Sequence, residues 1–315
     1  MATTIFSALL PIVLTLLLGV LAAWHNDFDQ KQAAVLNRMV MAYALPLVLF
    51  ASIAATPRDQ LEGDMTLISI VAGCLLAGYV VPLLIAHYIV GRDLMTSTLQ
   101  ALVIGGPSVA FVGLPVLGYL FGPTKATIPV VVSALVLTMV QVPASLILLS
   151  SAAARRGDKS GLPQTILSNI VSAIQQPMVW APAIAVVILM LGISVPEPIR
   201  QSMNLLGHAT SGVALFASGV ILYSQRVSLS LPTIISTLAR NILMPALVWA
   251  LVAALGVNPE IGREVVLTVA IPAAVICVIL AVQFRVAEQE MASTLFLSNV
   301  LSLPTMGAFI WLLGG

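Results

Sequence analysis

The sequence predicts an all-α polytopic membrane protein: ten transmembrane helices in two inverted five-helix repeats, with broken helices 4 and 9 crossing at the bilayer midplane. Three observations lead there. Of 315 residues, 60% are hydrophobic and only 8% are charged, with a mean hydropathy of +1.09. No soluble domain of this length covers its surface with so few charges. Ten stretches are apolar over the ~20 residues that a spanning helix needs. Finally, prolines and one tetrapeptide recur between the two halves of the chain at nearly one offset.

In order, the expected spans are Ile5–Trp24, Ala33–Ala55, Thr66–Val90, Ser97–Phe121, Ala126–Ala153, Gln164–Leu191, Ile199–Tyr223, Leu231–Leu255, Val265–Phe284 and Met291–Leu313. The first lacks a basic start and a small-residue cleavage site, so it reads as a membrane helix rather than a signal peptide. The longest polar connection, Arg155–Gly161, falls at the centre. It divides a first repeat, residues 1–153, from a linker, 154–163, and a second repeat, 164–315. Cys74 and Cys277 both lie in apolar spans and read as small core residues.

The repeat rests on five matches in five successive span pairs. Pro11 and Pro177 are 166 residues apart, and Leu49-Phe50-Ala51-Ser52 returns 166 later as Leu215-Phe216-Ala217-Ser218. Pro82 pairs with Pro245, Pro107 with Pro272 and Pro143 with Pro304, at offsets of 163, 165 and 161. Because five is odd, the second unit starts from the opposite face of the membrane, which gives an inverted repeat. Basic residues set the orientation. Eight (Lys31, Arg38, Arg92, Arg155, Arg156, Lys159, Arg226, Arg285) fall on the side of the loops after odd-numbered spans, and four (Arg58, Lys125, Arg200, Arg263) on the other. Both termini are therefore expected outside the cytoplasm.

The stretch Gly105–Gly122 holds Pro107 and Pro115 among five glycines inside a span. Proline removes a backbone donor and clashes with the preceding turn, so a break is expected near Gly106–Pro107, with Pro115 a second helix-breaking position. Its partner is expected at Ile271–Pro272. Backbone groups freed at membrane depth must be buried in protein or line a wet cavity. The second half-helices then begin at Ser108, Val109 and Ala110 and at Ala273, Ala274 and Val275. A helix N-terminus offers free N–H groups and about half a positive charge. All twelve acidic residues lie in or beside loops, so no carboxylate is available at the midplane to carry a proton or balance a cation. The site is expected to be neutral or positive and to suit an anion.

Other polar residues in the spans have two readings each. Gln141 and, in the matching region of the second half, Asn299 and Ser302 line the site or bond between helices. Arg240 neutralises a bound anion or snorkels to the surface, the latter being favoured. Asn37 and Arg38 read as interfacial. His87 and His208 read as packing partners, and Gln175 and Gln176 as backbone partners beside Pro177. Enzyme motifs such as HExxH or GxSxG are missing, and neither a metal nor a cofactor is expected.

The chain resembles the auxin efflux carrier family, which includes plant auxin carriers and bacterial malonate-carrier-like proteins. The resemblance is carried by Asn37 with Tyr43-Ala44-Leu45-Pro46-Leu47-Val48-Leu49-Phe50, by Pro107-Ser108-Val109-Ala110-Phe111-Val112-Gly113-Leu114-Pro115, by Gln176-Pro177-Met178-Val179-Trp180-Ala181-Pro182, by Ala214-Leu215-Phe216-Ala217-Ser218-Gly219, and by Ile271-Pro272. It implies a scaffold of helices 1, 2, 6 and 7, a transport domain of helices 3–5 and 8–10, a homodimer and elevator-like alternating access. Its carriers move organic anions. Ser108 stands where the family often has Asn, and Gln141 resembles a glutamine of the auxin carriers. The small Ala273 replaces a longer polar residue of those carriers. The expected function is secondary transport of a small organic anion, malonate-like or auxin-like, across the bacterial inner membrane. Substrate contacts are expected from Ser108, Val109, Ala110, Gln141, Ala273, Ala274 and Asn299. The alternatives are a sodium-coupled carrier of the bile-acid type and a non-transporting membrane sensor on the same fold.

Overall fold

The protein is described by a computed structural model covering residues 2–55, 65–155, 177–207, 209–224 and 227–314. Residues 156–163 of the central linker, Gln175, Gln176 and His208 lie outside the described residues, as do Arg58, Asp59, Glu62 and Asp64. Everything described is helix or short connection, with no strand among the described residues. The helices are α1 (Ala2–Trp24), α2 (Gln30–Ala55), α3 (Met65–Ile89), α4 (Leu94–Gly105), α5 (109–121), α6 (123–155), α7 (Pro177–Leu191), α8 (Glu197–Gly207), α9 (Ala209–Ser224), α10 (Leu231–Ala254), α11 (Pro259–Val269), α12 (Ile276–Phe284) and α13 (Glu288–Leu312). Six stretches are long and apolar enough to cross a membrane: α2, α3, Lys125–Ala153 within α6, Glu197–Ile221 over α8 and α9, α10, and α13. The chain is thus an all-helical, multi-pass membrane protein.

Helix starts follow local chemistry. Asp29 opens α2 with a reciprocal capping box to Gln32. The Asp93 carboxylate accepts from the Met95 and Thr96 amides at the start of α4. Asn258, 165 residues later, does the same for Glu260 at the start of α11, where Pro259 takes the first helical position.

Prolines inside the long helices are absorbed rather than obeyed as stops. Wide, π-type turns occupy Val40–Ala44, Val109–Gly113, Val136–Gln141 and Ala239–Leu243, and each ends two residues before a proline: Pro46, Pro115, Pro143 and Pro245. The pyrrolidine ring clashes with the carbonyl four residues back and donates nothing to it, and widening the helix there relieves both problems. The helix of residues 109–121 accordingly runs on through Pro115, and the interruption lies before it, at residues 106–108.

A large core joins α3 to α6 and α10 to α13, with parts of α2 and α9 against it. Two smaller clusters lie apart: Ala23, Ala33, Ala217 and Val220 between α1, α2 and α9, and Ile53, Ala185 and Leu189 between α2 and α7. Where α1 meets α9 the backbones touch. A Cβ on Gly19 would lie 2.0 Å from the Phe216 carbonyl oxygen, and one on Gly219 2.1 Å from that of Leu16. Small residues at such a contact let dispersion and backbone packing replace the hydrophobic effect that lipid does not supply.

Candidate functional site: the junction of two interrupted helices

Chain between α4 and α5 (106–108) and between α11 and α12 (270–275) is extended or irregular, and the two interruptions meet. Pro107 and Ala273 form an antiparallel bridge. Ser108 N–H donates to Pro272 O at 2.8 Å, and Ala274 N–H donates to Gly106 O at 2.9 Å. Each interruption thus supplies the backbone partner that the other lost. This answers the accounting that buried backbone imposes.

Side chains meet further free groups, chiefly the carbonyls at the ends of α4 and α11. Arg240, on the wide turn of α10, is fully buried. Its Nη1 donates to Ile104 O at 2.7 Å, in the last turn of α4, while Nε and Nη2 donate to Ile271 O, just past α11. It does not snorkel; the carbonyls of both severed ends hold it inside. Gln141 Nε2 donates to Gly105 O (3.2 Å) and to Leu75 O (2.9 Å). Ala273 N–H donates to Ser298 Oγ at 3.0 Å, and Ser298 Oγ–H donates to Asn241 Oδ1 at 2.6 Å. Asn241 Nδ2 returns a bond to Ser298 O. All these side chains are buried.

At the start of the helix that follows each interruption the arrangement is open. The first intrahelical bonds of α5 run from Val112 and Gly113 N–H to Ser108 O, and those of α12 from Val278 and Ile279 N–H to Val275 O. Amides of the turn before each have no acceptor within their helix.

Beside the junction is a cavity of about 520 Å³, walled by α1, α2 and α9 on one side and by α5, α12 and α13 on the other. Its polar lining is Gln30, Asn37, Arg38, Ser108, Ser218 and Asn299, with Ala273 on the wall. Arg38 is its one charged side chain among the described residues, and no carboxylate lines it. On the other flank a pocket of about 40 Å³ is lined by Pro107, Ser108, Val109, Thr138 and Ala274 among apolar residues.

The expected site residues divide accordingly. Ser108, Ala273 and Asn299 border the large cavity, and Val109 and Ala274 the small one. Gln141 borders neither and holds carbonyls instead. The backbone of Ala110 lies in the wide turn of α5. Asn299 Nδ2 bonds to Leu295 O in its own helix, and Ser302 Oγ to Asn299 O. Sequence reasoning passed over Ser298 and Asn241, and it put Asn37 and Arg38 at the interface rather than on the cavity wall. The available signal was a polar pair inside an apolar span.

At the ends of the bundle, Arg92 makes a two-pronged ion pair with Glu290 (2.7 and 2.8 Å) and also donates to Gln100, joining α4 to α13. The carboxylate beside Arg92 raises the guanidinium pKa further above its ordinary value. Lys125 and Glu260 pair more loosely, at 3.7 Å and well exposed.

A profile of membrane transport proteins matches residues 4–310. The chain belongs to that family, the auxin efflux carrier family. Among its relatives, "Uncharacterized transporter YfdV" of Escherichia coli (strain K12) is 30% identical over 303 residues, 95% of this chain and 94% of that protein. "Auxin efflux carrier component 8" of Arabidopsis thaliana is 23% identical, covering 98% and 97%. "Putative malonate transporter" of Rhizobium meliloti (strain 1021) is 24% identical, covering 96% and 94%. The auxin efflux carrier family is one of membrane transporters, so the chain is a membrane transporter.

Proposed function

We propose that this carrier is a secondary transporter of a small organic anion, a malonate-like dicarboxylate or an auxin-like monocarboxylate, in a bacterial inner membrane. The observation that carries the reading is the cavity lining: Arg38, two open helix N-termini and several neutral polar groups, with no carboxylate among the described residues. Positive helix ends and a guanidinium favour an anion and repel a cation. Relatives named for auxin and malonate are both named for carboxylates.

The anion sits between two bodies. Helices α1, α2, α7, α8 and α9 form the scaffold, and α3–α6 with α10–α13 form a transport domain that moves against it. The two bodies are cut from two inverted five-helix repeats, and the interrupted helices cross at the midplane. In support, the two interruptions exchange reciprocal hydrogen bonds, and the N-caps Asp93 and Asn258 stand 165 residues apart, as Pro107 and Pro272 do. Ser108, Ala273 and Asn299 line the cavity that takes the anion, Val109 and Ala110 offer it the first amides of α5, Ala274 stands on the other flank of the junction, and Gln141 holds Gly105 O from behind. Both termini lie outside the cytoplasm, and the functional unit is a homodimer.

Uptake of labelled malonate into proteoliposomes tests this, with unlabelled carboxylates as competitors and with and without a membrane potential and a sodium gradient. Saturable, sodium-independent uptake that responds to the potential is expected. Obligatory sodium dependence would replace the reading with a bile-acid-type carrier. Binding without uptake would make the chain a sensor.

A further inference from the structure

An arginine buried in a dry interior is unfavourable unless its charge is matched. Arg240 has no exposed surface, and no ion pair joins it to a carboxylate among the described residues. Its partners are carbonyls at two places: Ile104 O in the last turn of α4 and Ile271 O just past α11. Each is the C-terminal end of a severed helix, which carries about half a negative charge. Two such ends together match one guanidinium.

The junction brings four helix ends together. Arg240 cancels the two negative ones on its side. The two positive ones, at the starts of α5 and α12, are left without an opposing charge, and they border the cavity through Ser108, Ala273 and Val275. Without Arg240 the four ends would sum to nothing, and the junction would have no net attraction for an anion.

Resting on the anion reading above, we infer that Arg240 is the charge-setting and positioning residue of the substrate site: it neutralises the C-terminal ends of both interrupted helices, so that the junction presents about one net positive charge to a carboxylate it never touches. Its role differs from that of Arg38, which lines the cavity itself.

The test compares wild type, Arg240→Gln and Arg240→Lys as full-length protein in proteoliposomes. The substrates are labelled malonate (two charges) and monomethyl malonate (one). The expected result for Arg240→Gln is a KM for malonate raised roughly tenfold, the scale of one unit charge acting across a partly dry site. Monomethyl malonate is raised less, so the ratio of the two KM values changes. Arg240→Lys keeps the charge and holds the wild-type ratio, although it melts at a lower temperature. A merely structural role lowers the maximal rate for both substrates alike and leaves the KM ratio of Arg240→Gln untouched; that outcome overturns the inference. If the Gln variant is not monodisperse, the Lys variant decides by the same ratio. If neither is monodisperse, Arg240 is a folding residue and the inference fails. Wild type that carries no carboxylate refutes the anion reading itself, before any variant is needed.

Discussion

Ser298→Ala is the sharpest test of how the second interruption is held. The hydroxyl accepts from Ala273 N–H at 3.0 Å and donates to Asn241 Oδ1 at 2.6 Å, and all three residues are buried. Truncation strands one donor and one acceptor. Each unsatisfied buried group costs about 1–3 kcal/mol. Ala273 borders the cavity, where water can reach part of the gap, so the low end of the summed range applies, about 2–3 kcal/mol. At this chain length a kcal/mol corresponds to about 2 °C, so the melting temperature should fall by roughly 4–6 °C. Ser302→Ala is the control. Its hydroxyl bonds only to Asn299 O within its own helix, so its removal should shift melting by less than about 1 °C. Scanning fluorimetry of both variants in one detergent reads the difference. Equal melting temperatures would refute the account of Ser298 as the partner of a severed backbone.

Gly19→Ala should destabilise by about 1–3 kcal/mol, because its Cβ meets the Phe216 carbonyl at 2.0 Å and forces α1 from α9. Gly73→Ala, with no heavy atom within 4 Å, should be neutral or gain up to about 1 kcal/mol in helix propensity, and thermal melting of the pair checks both. Arg38→Gln should raise the KM for malonate roughly tenfold with little change in melting temperature, since the side chain is exposed to the cavity rather than packed. Pro107→Ala lifts the ring clash that keeps α4 and α5 apart; the protein should fold and yet take up malonate at under about a tenth of the wild-type rate, read as initial uptake per folded protein.

Some of this was legible in the sequence because proline acts locally. Pro107 and Pro272 mark backbone that cannot continue a helix, and their matched spacing makes them a pair in the sequence itself. Pro115 shows the limit of the same rule. A proline's effect depends on whether the turn before it can widen, and that depends on neighbours distant in sequence. Arg240 was ambiguous for a related reason. A long side chain a few turns into a span reaches the surface or the interior according to what waits inside, and two severed carbonyl ends are invisible in composition. Ser298 and Asn299 are adjacent and both polar, but hydropathy cannot tell which faces Ala273 and which the cavity. Asn37 and Arg38 were judged by depth along a helix, whereas their role comes from α13 and α5 across the cavity.

The reciprocal hydrogen bonds at the junction also set a timetable. Gly106 O and Ser108 N–H lie about a third of the way along the chain, and their partners, Ala274 and Pro272, are about 165 residues further on. At about 5–20 residues per second of synthesis, the first interruption waits roughly ten to thirty seconds for the groups that complete it. Arg240 and Ser298 arrive within the same late portion. Until then the open backbone at Gly106–Ser108 has only water, lipid headgroups or an assisting protein to bond with. The early helices must therefore be sheltered at the insertion machinery, or enter the bilayer in another shape and be recast when the second half arrives.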